Sequence, residues 1–499
     1  MKKTVYSDSF KVFLGLCSLL ILLSLFLANG YATVWNGAEA NLLLTAQEGA
    51  ADNLVEHFVQ FFYKGAGLSV FTLRLPSILL LLGAAAVFFF FGKKVFGRDA
   101  VVLTLLVSAS SFVLLPYTKI ISGDLYLFFT QVLHLVFTIL FIKQPLSKWR
   151  IASSIFLGLG MLIHPLAMGL WGFVIALLLF AKHPNRENVK VLFFPIGLAI
   201  LILPIIAQFV FGSWDFSAFT FSFGQLSIKE TLAVLVIGML PWLGFLPATL
   251  VDLVKKWRSN EELSIIIMAW LVAALVSQSV SIVLVFSFMI VKQVWVVLRP
   301  GYPYLRLVKG FALLNLISIF IIVFLALLSG ISWVGEVGYK PLLLAVFVYW
   351  VLSFLGVLGL FLKDRRVVIA GTVFSGLFPM LIFWWAIYPK WEAYRQLPQQ
   401  IIEEARDKNA SGVEKLTMYS APWMTDNFMV YTNEVFSEFE VSSDSIVFKQ
   451  QLKNPNHQIF VFDNEVLTEI DSIYLKRGEY LDIKGGWGRM GSGAFIIGE

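Results

Sequence analysis

Long apolar runs separated by short basic loops leave a chain few folds, and such runs fill the first 388 residues here. Hydrocarbon offers no partners to backbone amides and carbonyls, so spanning segments must be helices or strands of closed barrels. A helix needs roughly 17–25 apolar residues to cross a bilayer about 30 Å thick. About 13 stretches approach that length, near residues 12–29, 72–91, 100–115, 125–142, 151–164, 166–181, 190–211, 231–250, 262–277, 281–298, 311–330, 341–362 and 367–388. With 58% hydrophobic and 14% charged residues, the chain cannot cover itself with polar surface. The expected class is an all-α polytopic membrane protein.

Charge orients it. Every second loop is basic: Lys2/Lys3/Lys11, Lys93/Lys94/Arg98, Lys143/Lys148/Arg150, Lys182/Arg186/Lys190, Lys255/Lys256/Arg258, Arg299/Arg306/Lys309 and Lys363/Arg365/Arg366. The alternate loops hold the isolated cations Lys64, Lys119, Lys229 and Lys340. The positive-inside rule then puts the amino terminus in the cytoplasm and, with an odd number of spans, residues 389–499 outside. Lys2 and Lys3 ahead of an apolar run resemble a signal peptide, but no small-residue cleavage site follows, so a signal anchor is expected.

The formal charge of +6 divides unevenly. The tail from Pro389 carries 11 Lys/Arg and 17 Asp/Glu, leaving the basic excess on inner loops that face anionic lipid. Nucleic acid is not an expected partner. The single cysteine, Cys17, excludes an internal disulfide and a cysteine-based metal cluster.

Two domains follow: a membrane domain over 1–388 and a small outer α/β or mostly β domain over 389–499. The tail predicts a polar helix over 391–408, then alternating strands over 415–419, 428–431, 435–441, 458–462 and 472–483. The first outer loop, 30–71, contains an amphipathic stretch from Glu39 to Tyr63 suited to a juxtamembrane helix pair. A second outer loop, 212–230, is rich in Phe and Ser and suits the interface.

Acids beside hydrocarbon are expensive and mark sites by default. Glu39 follows the first apolar run and Asp124 precedes the fourth, both on the outer side. Each also has a plainer role at a helix N-terminus, as dipole partner or cap. Arg74 is a bidentate phosphate ligand or a snorkelling anchor, and Lys119 lies five residues before Asp124. Lys292 extends the phosphate-binding set, and His57 and His164 are candidates for substrate binding. His134, inside a span, reads as a satisfied core histidine. Glu56 beside His57 offers only half of a metal site.

Five ordered strings now resemble the GT-C membrane glycosyltransferases of the aminoarabinose transferase and protein O-mannosyltransferase-like group. They are Trp35-x-x-x-Glu39-Ala40, Arg74-Leu75-Pro76-Ser77, Val95-Phe96-Gly97-Arg98, the Lys119/Asp124 pair and Gly158-Leu159-Gly160…His164-Pro165. The resemblance covers residues 30–175 and implies an integral enzyme of a bacterial inner membrane. Its partners would be membrane lipid, a polyprenyl-phosphate-linked sugar donor and an extracytoplasmic acceptor (glycan, lipid or protein). It fixes no cofactor and leaves a divalent metal open. In that group an Asp precedes the first-loop Glu and is credited with catalysis, whereas this chain has Ala38-Glu39. Glu39 either takes over as base, or the chain is a degenerate relative that binds lipid or scaffolds an envelope complex. A transporter is the third reading, but it calls for ionisable residues near mid-membrane, and here the acids cluster at the outer face.

Overall fold

The computed structural model describes residues 8–28, 37–49, 51, 54–67, 70–121, 123–211, 236–328 and 339–389, and strands at 415–419, 438–442, 458–463, 478–483 and 493–498. The loop at 212–230, the helix at 391–408 and the strand at 428–431 lie outside the described residues.

In chain order the helices are α1 Asp8–Phe26, α2 Gly37–Glu48, α3 Leu54–Ala66, α4 Val70–Val87, α5 Lys93–Phe96, α6 Arg98–Ala109, α7 Leu114–Tyr117, α8 Asp124–Lys143 and α9 Ser147–Ile163. They continue as α10 Pro165–Lys182, α11 Arg186–Phe211, α12 Leu246–Arg258, α13 Glu262–Val276, α14 Ile282–Val296, α15 Leu305–Leu328, α16 Tyr339–Leu362 and α17 Arg365–Ile382. A π turn, Phe88–Gly92, joins α4 to α5, and a second, Phe383–Ile387, extends α17. Among the described residues, five stretches are long and apolar enough to cross a membrane: Phe71–Phe96, Asp124–Lys143, Pro165–Lys182, Lys340–Leu362 and Arg365–Ile387.

Some expected spans are shorter or broken. The run at 100–115 is helical only to Ala109 in α6, because Ser110 and Ser111 turn their hydroxyls back onto the carbonyls of Val107 and Ser108. Within 231–250, a 3-10 turn at Leu240–Phe245 precedes α12, where Pro241, Gly244 and Pro247 interrupt regular α-geometry. The runs at 151–164 and 166–181 meet at His164, whose extended backbone separates α9 from α10.

The described chain forms two compact units. The first holds α1 and the helices from Arg74 to Trp385. Its centre is α8, buried along nearly its whole length. The polar groups of α8 find partners inside: Gln131 accepts from Ser279 at 2.5 Å, His134 lies 3.0 Å from the Ser153 carbonyl, and Thr138 is 2.7 Å from Ser153 Oγ. Without water, such bonds hold helices together. Glycines allow the closest approaches: a Cβ on Gly371 of α17 would fall 2.8 Å from the Cα of Gly356 on α16.

The second unit contains α2, most of α3 and a five-stranded sheet. Its strands are β1 Lys415–Tyr419, β2 Glu438–Ser442, β3 Gln458–Asp463, β4 Gly478–Ile483 and β5 Gly493–Gly498, in the order β2-β1-β3-β5-β4. β1 runs parallel to β2 and β3, with Lys415 opposite Glu438 and Gln458, while β5 runs antiparallel to β3 and β4. Of the strand expected over 472–483, β4 covers Gly478–Ile483, and residues 472–477 lie outside the described residues.

Candidate functional site

Burial of charge singles out three positions. Among the described residues, the Asp, Glu, Lys and Arg side chains that are buried are Glu39, Arg74 and Lys119, each with no exposed surface. Burying an ion costs several kcal/mol unless it is compensated, so these three are the charged side chains most dependent on partners inside the protein.

Arg74 and Lys119 belong to the first unit. Arg74 lies in the second turn of α4, and Pro76 removes one backbone hydrogen bond just beyond it. Lys119 follows α7 in the short segment before α8. Its Nζ donates to the carbonyls of Leu25 and Leu27 at 2.5 and 2.6 Å, closing the C-terminal end of α1. The same ammonium lies 5.4 Å from the ring centre of Trp384. Burial and then the positive charge of Arg74 push the Lys119 pKa down to about 7. Two cations held this way favour an anion between or beside them.

Asp124 opens α8, half-buried, with Gly123 at the cap position, so it is the first residue inside the helix rather than its cap. An acid there is favoured by the helix dipole. Below this region an apolar cavity of about 300 Å³ runs between α1, α4, α6 and α8, with Leu14, Leu25, Leu82, Phe88, Leu115 and Phe128 in its wall. Leu25 both lines the cavity and supplies a carbonyl to Lys119.

In the second unit Glu39 lies in the first turn of α2. His57 is half-buried in α3 next to Glu56. No group of three His, Cys, Asp or Glu gathers among the described residues.

Two candidates have other employment. His164 caps α10, its Nδ1 accepting from the amide of Ala167 at 3.2 Å with Pro165 in the first helical position. Lys292 lies near the C-terminal end of α14, in the field of Glu261, Lys256 and Asp252, the charges where α12 turns into α13. The charges that act on it are those three rather than Arg74 or Lys119. Spacing did not show the cap at His164, whereas the position of Lys292 close to the Arg299 end of its apolar run was readable in the sequence. Sequence reasoning also missed Trp384 and the carbonyls of Leu25 and Leu27. The Trp lay within an aromatic cluster, and carbonyls carry no side-chain signature.

The comparisons were informative at two levels. Residues 54–211 match the model of the family described as dolichyl-phosphate-mannose-protein mannosyltransferase. That stretch includes Arg74, Lys119 and Asp124 but not Glu39. The search of curated proteins returned no match. Among solved structures, ArnT from Cupriavidus metallidurans bound to undecaprenyl phosphate aligns at TM-score 0.65 and 13% identity, covering 98% of each chain. The same protein in the apo state aligns at TM-score 0.64 and 15% identity, over 98% of this chain and 97% of that one. The chain thus has the fold of ArnT along nearly its full length and, over residues 54–211, the sequence pattern of the dolichyl-phosphate-mannose-protein mannosyltransferase family.

Proposed function

We propose that the chain is a multi-pass membrane glycosyltransferase that moves a sugar from a polyprenyl-phosphate donor to an extracytoplasmic glycan, lipid or protein. The observation that carries this reading is the burial of Glu39, Arg74 and Lys119 and of no other Asp, Glu, Lys or Arg among the described residues. A base and a pair of cations are what the transfer requires. The acceptor loses a proton to a carboxylate, its heteroatom bonds to the anomeric carbon, and the bond from that carbon to the phosphate oxygen breaks. The bonding pair stays on the phosphate. A lipid-linked phosphodiester carries one negative charge, and the monoester released carries a second. Arg74 and Lys119 would therefore grip the departing phosphate more tightly than the bound donor, which is how fixed charge speeds a reaction.

In this reading Glu39 is the base, Asp124 a second carboxylate needed for transfer, and the apolar cavity that reaches Leu25 accommodates hydrocarbon. The membrane part spans the bilayer about 13 times, with the amino terminus in the cytoplasm and residues 389–499 outside, as a small α/β domain on an inner membrane. The undecaprenyl phosphate bound to ArnT in the relative supports a polyprenyl phosphate ligand here.

The test is sugar transfer from a radiolabelled polyprenyl-phosphate donor in membranes, comparing wild type with Glu39→Ala and Asp124→Ala. Loss of transfer in both supports the assignment, and unchanged transfer in both removes it. A second reading is favoured by Ala38, which stands where the resembling group has its Asp: a relative that retains the lipid site without chemistry. It predicts donor binding without turnover in the wild type.

A further inference from the structure

We propose that the basic face around Trp149 is a binding site for an anionic phospholipid of the cytoplasmic leaflet. The site is built where the π turn Phe88–Gly92 and α5 meet the start of α9. Lys94 Nζ lies 5.7 Å from the Trp149 ring centre and Lys148 Nζ 4.9 Å from it. Two ammonium groups are thereby held within about 11 Å of each other on one ring. Lys143 is tied to the same place, its Nζ donating to the Val95 carbonyl at 3.4 Å.

Three features separate this place from an ordinary basic loop. Among the described residues, none of Lys93, Lys94, Lys143, Lys148 and Arg150 makes an ion pair with a carboxylate, whereas Lys190 and Lys256 do. The Trp149 ring is fixed by stacking on Phe137 at 5.8 Å and an edge contact with Phe91 at 5.7 Å, yet its Nε1 has no hydrogen-bond partner. Buried donors are normally satisfied, and a phosphate oxygen would satisfy this one once the side chains covering it move aside. Finally, Lys148 begins an uncovered stripe of α9: Ile151, Ile155 and Leu159 follow at helical spacing and are 54%, 52% and 38% exposed. A headgroup held by Lys94, Lys148 and the Trp149 indole would lay an acyl chain along that stripe. Cations without acids, an unfilled donor and an adjoining apolar track together match a negatively charged headgroup and its tail, not a soluble anion.

The experiment is native mass spectrometry of the full-length protein, titrated in mild detergent with phosphatidylglycerol or with phosphatidylcholine of the same acyl chains. Wild type should retain phosphatidylglycerol over phosphatidylcholine. Lys94→Gln with Lys148→Gln should weaken retention about thirtyfold, the equivalent of two surface cations. Trp149→Phe, which keeps the stacking on Phe137, should weaken it less. Lys363→Gln with Arg366→Gln, an equal charge loss elsewhere on the basic side, should leave it unchanged. Equal retention of the two lipids, or equal loss in the control pair, overturns the proposal. So does a change in the protomer–dimer distribution in place of bound lipid, which would make the face a contact between copies. The readout does not depend on sugar transfer, so it stands apart from the proposed reaction.

Discussion

Exchanging Lys119 for Met retains the length and apolar stem of the side chain and removes its charge. In the proposed reaction the lost interaction is a charge-assisted hydrogen bond to a phosphate gaining negative charge, worth about 1.5–3 kcal/mol. That is roughly a 10- to 150-fold loss in kcat/KM. Met also leaves the carbonyls of Leu25 and Leu27 without their donor, so Tm should fall too, and pH serves to separate the two effects. Lys119 in the free protein titrates at about 7, and the protonated form is the one that holds phosphate. Hence kcat/KM should be level below pH 6, fall above pH 7 and be lower by about fifteenfold at pH 8.5 than at pH 7. Arg does not titrate in this range, so Lys119→Arg should flatten the profile even where its absolute rate is lower. Stability runs the opposite way. The folded pKa of about 7 lies below the ordinary 10.5, so unfolding takes up a proton between those values and this group's contribution to stability rises with pH across that window. The assay uses a phosphodiester donor, whose own charge is constant over pH 6–9. A flat or rising wild-type profile, or a Lys119→Met enzyme within threefold of wild type at pH 7, would refute the reasoning.

Glu39→Gln should lower transfer by about 10²–10⁴-fold, the range of a general base, while retention of labelled donor in a filter assay stays near wild type. Gly371→Ala drives a methyl into α16 at Gly356 and should cost about 1–3 kcal/mol, measured as a lower Tm in detergent. Gln131→Leu removes the partner of Ser279 inside the bundle and should cost about 0.6–1.7 kcal/mol by the same measurement, with a smaller shift than Gly371→Ala. In a Cys17→Ser background, a cysteine at Glu440 should react with an impermeant maleimide from outside intact cells, and one at Lys94 only after permeabilisation. The reverse pattern would invert the proposed topology.

Much of this protein is legible along the chain because a bilayer turns one-dimensional information into structure. An apolar run must become a helix, its length is read against a fixed thickness, and flanking cations give its direction. So α4, α8, α10, α16 and α17 coincide with apolar runs visible in the sequence. Alternation likewise marked part of the sheet, with β1 lying where it was expected at 415–419, but β5 at Gly493–Gly498 was not read from the sequence. Arg74 and Lys119 stood out because ionisable groups next to hydrocarbon are few and costly.

What the chain alone did not disclose is which of those groups share a place. Lys292 and Lys119 were both candidate phosphate ligands, yet one lies among the charges between α12 and α13 and the other among the carbonyls ending α1. His164 looked available for substrate and is spent on capping α10. Breaks in expected spans also depended on packing, as at Ser110, where Trp242 donates a bond at 2.9 Å to a serine that has left the helix. Periodicity describes one helix at a time, whereas the protonation of Lys119 depends on Arg74, and its position on Leu25, Leu27 and Trp384, brought from three distant parts of the chain. Only folding brings charges that far apart in sequence into one low-dielectric pocket, and the proposed chemistry depends on that convergence.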